Sequence, residues 1–234
     1  TLTPFTPRFV FEADLSVARV TYLDADMFFF KNPKPIFKEF EQSGKQVLIT
    51  DHAYAPDNDQ SSTSGQYCVQ LLVFSRASLH SVSKWWQDQC INWCKSYFEA
   101  GKFGDQKYLE SFEQLFPNDV HVLSELDILL APWNASRFPY SRCVAFHFHQ
   151  LRLTGPSTPV KFITGYHIPK PTLKNIYLPY IALLKSLLIY YELPVPKQSK
   201  HQSFIYFIFR KTLTLLNGNS SPGMYQRHVY KLNL

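Results

Sequence analysis

Residues 20–30 read VTYLDADMFFF, and the three residues before them are Val17, Ala18 and Arg19. Residues 17–23 are rich in β-branched and apolar side chains and predict a buried strand. The run stops at Asp24-Ala25-Asp26. Carboxylates at i and i+2, just past a strand, project to one side. Ligands of α/β sheets bind at the carboxyl ends of strands. Two carboxylates there can hold a hard divalent cation, which in turn holds phosphate oxygens. A second D-x-D, Asp57/Asp59, lies in a polar stretch and reads as a solvated turn.

Working outward, residues 27–30 are a further apolar run. Asn32-Pro33 opens a short helix over residues 35–42, closed by Gly44. Residues 46–50 predict a strand. Residues 51–65, with Pro, Asn, Asp and several Ser/Thr, predict a long loop of the kind that serves as a lid. Residues 67–74 (YCVQLLVF) predict another strand. Val82, Trp85, Trp86, Gln89, Trp93 and Tyr97 fall near a 3.6 period and predict a helix over 79–98. Residues 101–104 break it, and Asp105 is placed to cap a helix running to Phe116. Residues 120–123 and 144–148 predict strands, the second being the last, with an apolar loop over 128–133. Strands alternating with helices indicate α/β architecture.

The character changes after Leu153. Pro156, Pro159, Pro169 and Pro171 punctuate a linker, and two apolar runs follow over residues 177–191 and 204–216. Both are shorter than the ~20 residues of a membrane-spanning helix and fit interfacial or packing helices. Two parts are therefore expected, residues 1–153 and 154–234. Charge divides the chain similarly. Residues 1–150 hold 13 Lys+Arg against 17 Asp+Glu, net −4; residues 151–234 hold 11 against one acid, Glu192, net +10. A basic, aromatic, acid-poor tail points to an anionic partner.

Composition narrows the class. Apolar residues make up 45 % and charged residues 18 %, which excludes a disordered or collagen-like chain. Neither GxGxxG nor GxxxxGK[ST] occurs, so the dinucleotide fingerprint and the P-loop are not supported. Cys68, Cys90, Cys94 and Cys143 contain no CxxC and read as thiols in a reducing compartment. The first residues lack the basic and apolar regions of a signal peptide.

Two further signals carry chemistry. In AFHFHQL, residues 145–151, His147 and His149 would face one way on a strand and Phe146 and Phe148 the other. An imidazole nitrogen can complete an oxygen-rich site for a borderline cation such as Mn²⁺. In Gly104-Asp105-Gln106 the plain reading is a helix cap; the functional reading is a carboxylate and an amide presented to a ligand.

Taken in order, VTYLDADMFFFKNPKPIF, a GxYxVxxxxF strand, a Trp-rich helix, KFGDQKYL, LAPWN and FHFH resemble one family. It is the bacterial nucleotide-diphospho-sugar glycosyltransferases of the GT-A fold, distant relatives of family-eight glycosyltransferases. The resemblance covers residues 1–153. It implies a GT-A-like mixed sheet flanked by helices, with a basic helical C-terminal extension. It implies that Asp24 and Asp26 bind Mn²⁺ (or Mg²⁺) and, through it, the donor diphosphate, with His149 or His147 completing the site. It places Asp105 and Gln106 near the donor sugar or the reacting centre, and Trp133 and Asn134 near the donor pocket.

The implied function is transfer of a sugar from a nucleotide-diphosphate donor to a glycan or lipid-linked acceptor, in cell-envelope polysaccharide synthesis. The implied setting is cytoplasmic, at the inner face of an anionic membrane; no nucleic-acid motif is present. Three departures stand out. The sugar-contacting strand of the family reads GxYNVG, whereas Cys68 here replaces Asn and Gln70 replaces Gly. Gln150 stands where HFH is usually followed by Gly. The family's nucleotide-base-binding segment before the D-x-D strand has no counterpart, so the sequence resembles the C-terminal part of a transferase. Two rival readings are a degenerate sugar-binding or scaffolding domain, favoured by those departures, and an aspartate-nucleophile phosphatase, whose D-x-D also follows an apolar strand.

Overall fold

The strand before the D-x-D motif forms as Arg19–Leu23 (β1), after helix α1 (Thr6–Ala13). It is half-buried rather than buried, because it occupies the edge of its sheet. The computed structural model describes residues 2–153, 160–192 and 228–232. Two compact units divide the chain, Thr1–Phe148 and His149–Leu234.

In the first unit β2 (Met27–Phe29) follows the D-x-D turn, and helix α2 (Lys34–Ser43) follows β2. Pro33 stands at the N-cap of α2, and Gly44 ends it in the left-handed region at φ 64°, where a side chain would strain the backbone. Ile36 and Phe40, one turn apart, are the face it buries. Next come β3 (Val47–Asp51), the four-residue helix α3 (Ser61–Ser64) and β4 (Tyr67–Ser75). The order β1-β4-β3-β5 makes a mixed sheet: β4 is antiparallel to β1 and β3, and β5 (Val120–Val122) is parallel to β3. A second sheet, β2-β7-β6, pairs β7 (Ala145–His147) antiparallel to β2 and parallel to β6 (Leu129–Leu130).

The four-stranded sheet separates two cores. Val47 and Ile49 pack with Phe11, Phe74, Trp86 and Phe112 on one side. Leu48 packs with Ile36, Phe40, Val73 and Ala145 on the other. This is the period-2 alternation of a strand covered on both faces.

The Trp-rich helix is shorter than the periodicity predicts. It forms as α4 (Val82–Asn92) after a 3₁₀ turn at Arg76–His80, and Trp93 is already extended. Tertiary bonds hold the chain beyond it: Tyr108 donates its hydroxyl to the Trp93 carbonyl at 2.8 Å, and Gly104 N–H donates to the Lys95 carbonyl at 2.9 Å. Asp105 does not cap with its side chain. The segment after it is a 3₁₀ helix, Gln106–Ser111, running into α5 (Phe112–Leu115). The Asp105 carbonyl instead accepts the Trp86 indole N–H at 2.8 Å.

The second unit contains strands as well as helices, contrary to the helical expectation. There β9 (Val160–Thr164) pairs antiparallel with β8 (Arg152–Leu153) and β10 (His228–Leu232). The Phe162 ring stacks on Tyr177 at 4.9 Å and on Tyr230 at 5.0 Å. Helix α6 (Lys170–Thr172) leads through a π-helical turn at Leu173–Tyr177 into α7 (Leu178–Tyr190). Short strands among prolines carry too little periodicity to be read from sequence. The apolar run over 204–216 lies outside the described residues. No helix among the described residues is long and apolar enough to cross a membrane.

Candidate metal centre

Beyond Leu23 the chain turns tightly, with Met27 N–H donating to the Asp24 carbonyl at 3.2 Å. That turn places Asp24 and Asp26 side by side at the end of β1. Antiparallel pairing of β2 with β7 then sets Met27 opposite His147. Phe148 N–H donates to the Asp26 carbonyl at 2.8 Å and extends the pairing past the turn. His147 Nε2 consequently lies 3.0 Å from Asp26 Oδ1 and 3.7 Å from Asp24 Oδ2. One ligand atom from each of Asp24, Asp26 and His147 falls within 4.8 Å of the others.

The site has a buried floor and an open rim. The His147 side chain is 6 % exposed, Asp24 23 % and Asp26 44 %. Burial raises the Asp24 carboxyl above its ordinary pKa, and Asp26 and Asp105 add to the rise; the Tyr22 hydrogen bond and His147 oppose it. The Tyr22 hydroxyl donates to Asp24 Oδ1 at 2.9 Å and is itself pushed up to about 12, chiefly by burial. Negative charge is thus concentrated where it is poorly solvated, and a divalent cation would relieve it. Two carboxylate oxygens and one imidazole nitrogen suit Mn²⁺ or Mg²⁺, with Mn²⁺ the better match for nitrogen. The residues present therefore fit the cation that the sequence implies.

The other predicted residues are held in different ways. Asp105 raises Asp24, Tyr22 and Cys68 electrostatically, so its carboxylate faces the same region. Gln106 donates its amide to the Ser64 carbonyl at 2.8 Å, which ties it to the loop over 51–65. Cys68 is buried at 2 % exposure, and burial pushes its thiol well up, so it stays protonated. Gln70 is fully buried, with Oε1 3.1 Å from His147 Nδ1. Trp133 sets its ring edge-on to His147, centroids 5.2 Å apart, and donates its indole N–H to the His52 carbonyl at 3.0 Å.

Asn134 is fully buried and spends both ends of its amide on main chain. It donates to the carbonyls of His52 and Leu129 at 3.0 and 3.2 Å and accepts from Ala131 N–H at 2.8 Å. His149 belongs to the second unit, where its ring meets Tyr166.

Two neighbours of the site escaped the sequence reading. Tyr22 stands at i−2 from Asp24, on the same side of the strand, and that spacing was the available signal. His52 stacks on Tyr54 at 4.6 Å and supports Trp133 and Asn134 through its carbonyl. Nothing in its local sequence marks it.

No protein-family model matches the chain. It is 28 % identical over 148 residues to uncharacterized protein YfnF of Bacillus subtilis (strain 168), covering 60 % of this chain and 48 % of that protein. It is 25 % identical over 180 residues to uncharacterized protein YfnD of the same organism, covering 70 % of this chain and 57 % of that protein. The chain spans about half the length of the curated relatives it matches. Among solved structures it is similar to apo mouse xyloside xylosyltransferase 1, with TM-score 0.40 and 16 % identity over 63 % of this chain and 62 % of that one. It is also similar to a glycosyltransferase involved in glycosylation of the major capsid of PBCV-1, with TM-score 0.45 and 14 % identity over 62 % and 68 %.

Proposed function

We propose that the chain is part of a metal-dependent glycosyltransferase that moves a sugar from a nucleotide-diphosphate donor to a glycan or lipid-linked acceptor. The observation that carries this reading is the convergence of Asp24, Asp26 and His147 within 4.8 Å. Residues far apart in sequence assemble one oxygen-rich, part-buried ligand set at a strand end. The order of the surrounding sequence motifs supports a sugar donor over other phosphorylated ligands.

A divalent cation held there would supply Lewis acidity that neutralises charge on the leaving diphosphate. The chain's own residues do the rest. Asp24 and Asp26 would hold the cation from either side of Ala25, and Tyr22 orients Asp24 by its hydrogen bond. His147 would supply the third ligand, with its ring held against Gln70 and Trp133. Asp105 presents a carboxylate toward the same region, suited to the reacting carbon of the sugar or the acceptor hydroxyl. The 51–65 loop is tied through Ser64 to Gln106, the residue after Asp105, and would exclude water if it closed over the donor.

The basic C-terminal part suits an acceptor presented at an anionic surface. Ile189, Tyr190 and Tyr191 at the end of α7 are 76 %, 77 % and 63 % exposed, a composition fit for the interface. A second reading, a scaffolding unit without transfer, is favoured by Asn134 and Cys68, whose polar groups are buried or engaged by main chain rather than offered to a sugar.

Calorimetric titration of UDP, with and without Mn²⁺, into this chain and into Asp24→Ala/Asp26→Ala tests the proposal. Binding that needs Mn²⁺ and vanishes in the double variant is the expected result. Equal binding without the cation would overturn it. Sugar release from UDP-hexoses in the wild type then separates transfer from mere binding.

A further inference from the structure

Strand β4 carries an irregularity against β3. Leu48 is opposite Val73, yet Thr50 is opposite Cys68, so two steps along β3 correspond to five along β4. The extra residues fall between Cys68 and Val73. The cores record the consequence: Tyr67, Val69, Leu72 and Phe74 pack on one side, whereas Leu71 and Val73 pack on the other. Strand parity changes inside 69–72, and Gln70 sits in the change. Bulges re-aim side chains beside functional sites.

Gln70 is 0 % exposed, an unusual place for a primary amide. Its two ends hold the two halves of the metal centre. The main-chain carbonyl accepts Asp24 N–H at 3.0 Å, fixing the exit of β1. The side-chain Oε1 lies 3.1 Å from His147 Nδ1. Among the described residues the amide Nε2 has no hydrogen-bond partner. A buried amide that leaves its own N–H groups unpaired is destabilising. Apolar residues surround this strand, so the amide is retained against that cost for what Oε1 does.

We infer that Gln70 is the positioning residue of the metal centre: its Oε1 accepts the Nδ1 proton of His147 and thereby turns Nε2 toward the cation position beside Asp24 and Asp26. A carbonyl oxygen can only accept, so Nδ1 carries the proton in this contact, and Nε2, which faces Asp24 and Asp26, is the atom a cation would meet. An outer partner of this kind fixes ring orientation and raises ligand basicity, and its loss typically lowers metal affinity about 10–100-fold. The inference rests on the reading of the site as a divalent-cation centre.

The test compares wild type, Gln70→Met and Gln70→Glu. Gln70→Met keeps length and removes the acceptor; Gln70→Glu keeps an acceptor at the same reach. Free Mn²⁺ is counted by electron paramagnetic resonance during titration with Mn²⁺ alone, and pulsed measurements read the nitrogen coupling of the bound ion. Gln70→Met should lose about tenfold or more in affinity together with the His147 nitrogen coupling. Gln70→Glu should keep both. Wild-type affinity and coupling in Gln70→Met would overturn the inference. So would equal loss in both variants, which marks a packing role. Metal-free melting curves identify a variant that has failed to fold, and Gln70→Glu then decides alone. Absence of Mn²⁺ binding in the wild type would overturn the cation reading itself, a separate result.

Discussion

Phe148 donates its main-chain N–H to the carbonyl of Asp26 at 2.8 Å. That bond joins the end of β7 to the D-x-D turn, so His147 and Asp26 cannot separate without breaking sheet pairing. The candidate metal centre is built on paired backbone rather than on free loops, which is how ligand geometry is held to fractions of an ångström.

Mn²⁺ should therefore stabilise the fold as a linked ligand. At about 100 times its Kd the gain is roughly 2.7 kcal/mol. Thermal melts with and without Mn²⁺ should show this for the wild type. Asp24→Ala/Asp26→Ala should show no shift, and His147→Ala should need at least about tenfold more cation for the same shift.

Asp24 should cost stability when no cation is bound. Its folded pKa is raised by burial, so the folded state holds the proton more tightly than the unfolded chain does. The favourable contribution is complete below the unfolded carboxylate pKa and is lost as pH rises through the folded one. Metal-free Asp24→Asn should melt above the wild type near pH 7, with the difference shrinking toward about pH 4. The same variant should lose Mn²⁺ binding. A difference that grows on acidification contradicts this account.

Trp86 connects the large core to Asp105. It is fully buried, stacks on Phe74 at 6.1 Å and holds the Asp105 carbonyl through its indole N–H. Trp86→Ala should cost about 3–5 kcal/mol in urea unfolding. Trp86→Phe keeps much of the ring packing and should cost roughly 1–2 kcal/mol, mainly for the orphaned carbonyl. Its effect on sugar transfer should exceed its effect on Mn²⁺ affinity, because Asp105 lies outside the ligand set.

Asn134 should behave as a structural residue. Three main-chain groups depend on its amide. Asn134→Ala should cost on the order of 3 kcal/mol. Part of the loss should appear at the site, since the Asn134 and Trp133 side chains share the His52 carbonyl and Trp133 touches His147. Unchanged stability with weakened donor binding would instead make Asn134 a ligand contact.

Residue spacing settled a good deal of this protein. The apolar run into Asp24-Ala25-Asp26, the Pro33-to-Gly44 helix and the strand over 67–74 were legible because each is a local pattern with a local cause. The end of the Trp-rich helix was not legible. Trp93 and Tyr97 keep the helical period, but bonds from Tyr108 and Gly104 claim the main chain there.

Local pattern alone identified the residue types that could bind a cation and set two of them at a strand end. It left His147 and His149 equivalent, because both share one parity of the same run. Tertiary structure separated them: the register of β7 on β2 puts His147 opposite Met27, beside the D-x-D turn, and His149 falls after the strand in the second unit. It also gave Gln70 a place that alternation alone would not assign, since the β4 irregularity reverses parity at that point. Pairing register and bulge position depend on partner strands distant in sequence, and no local pattern encodes them.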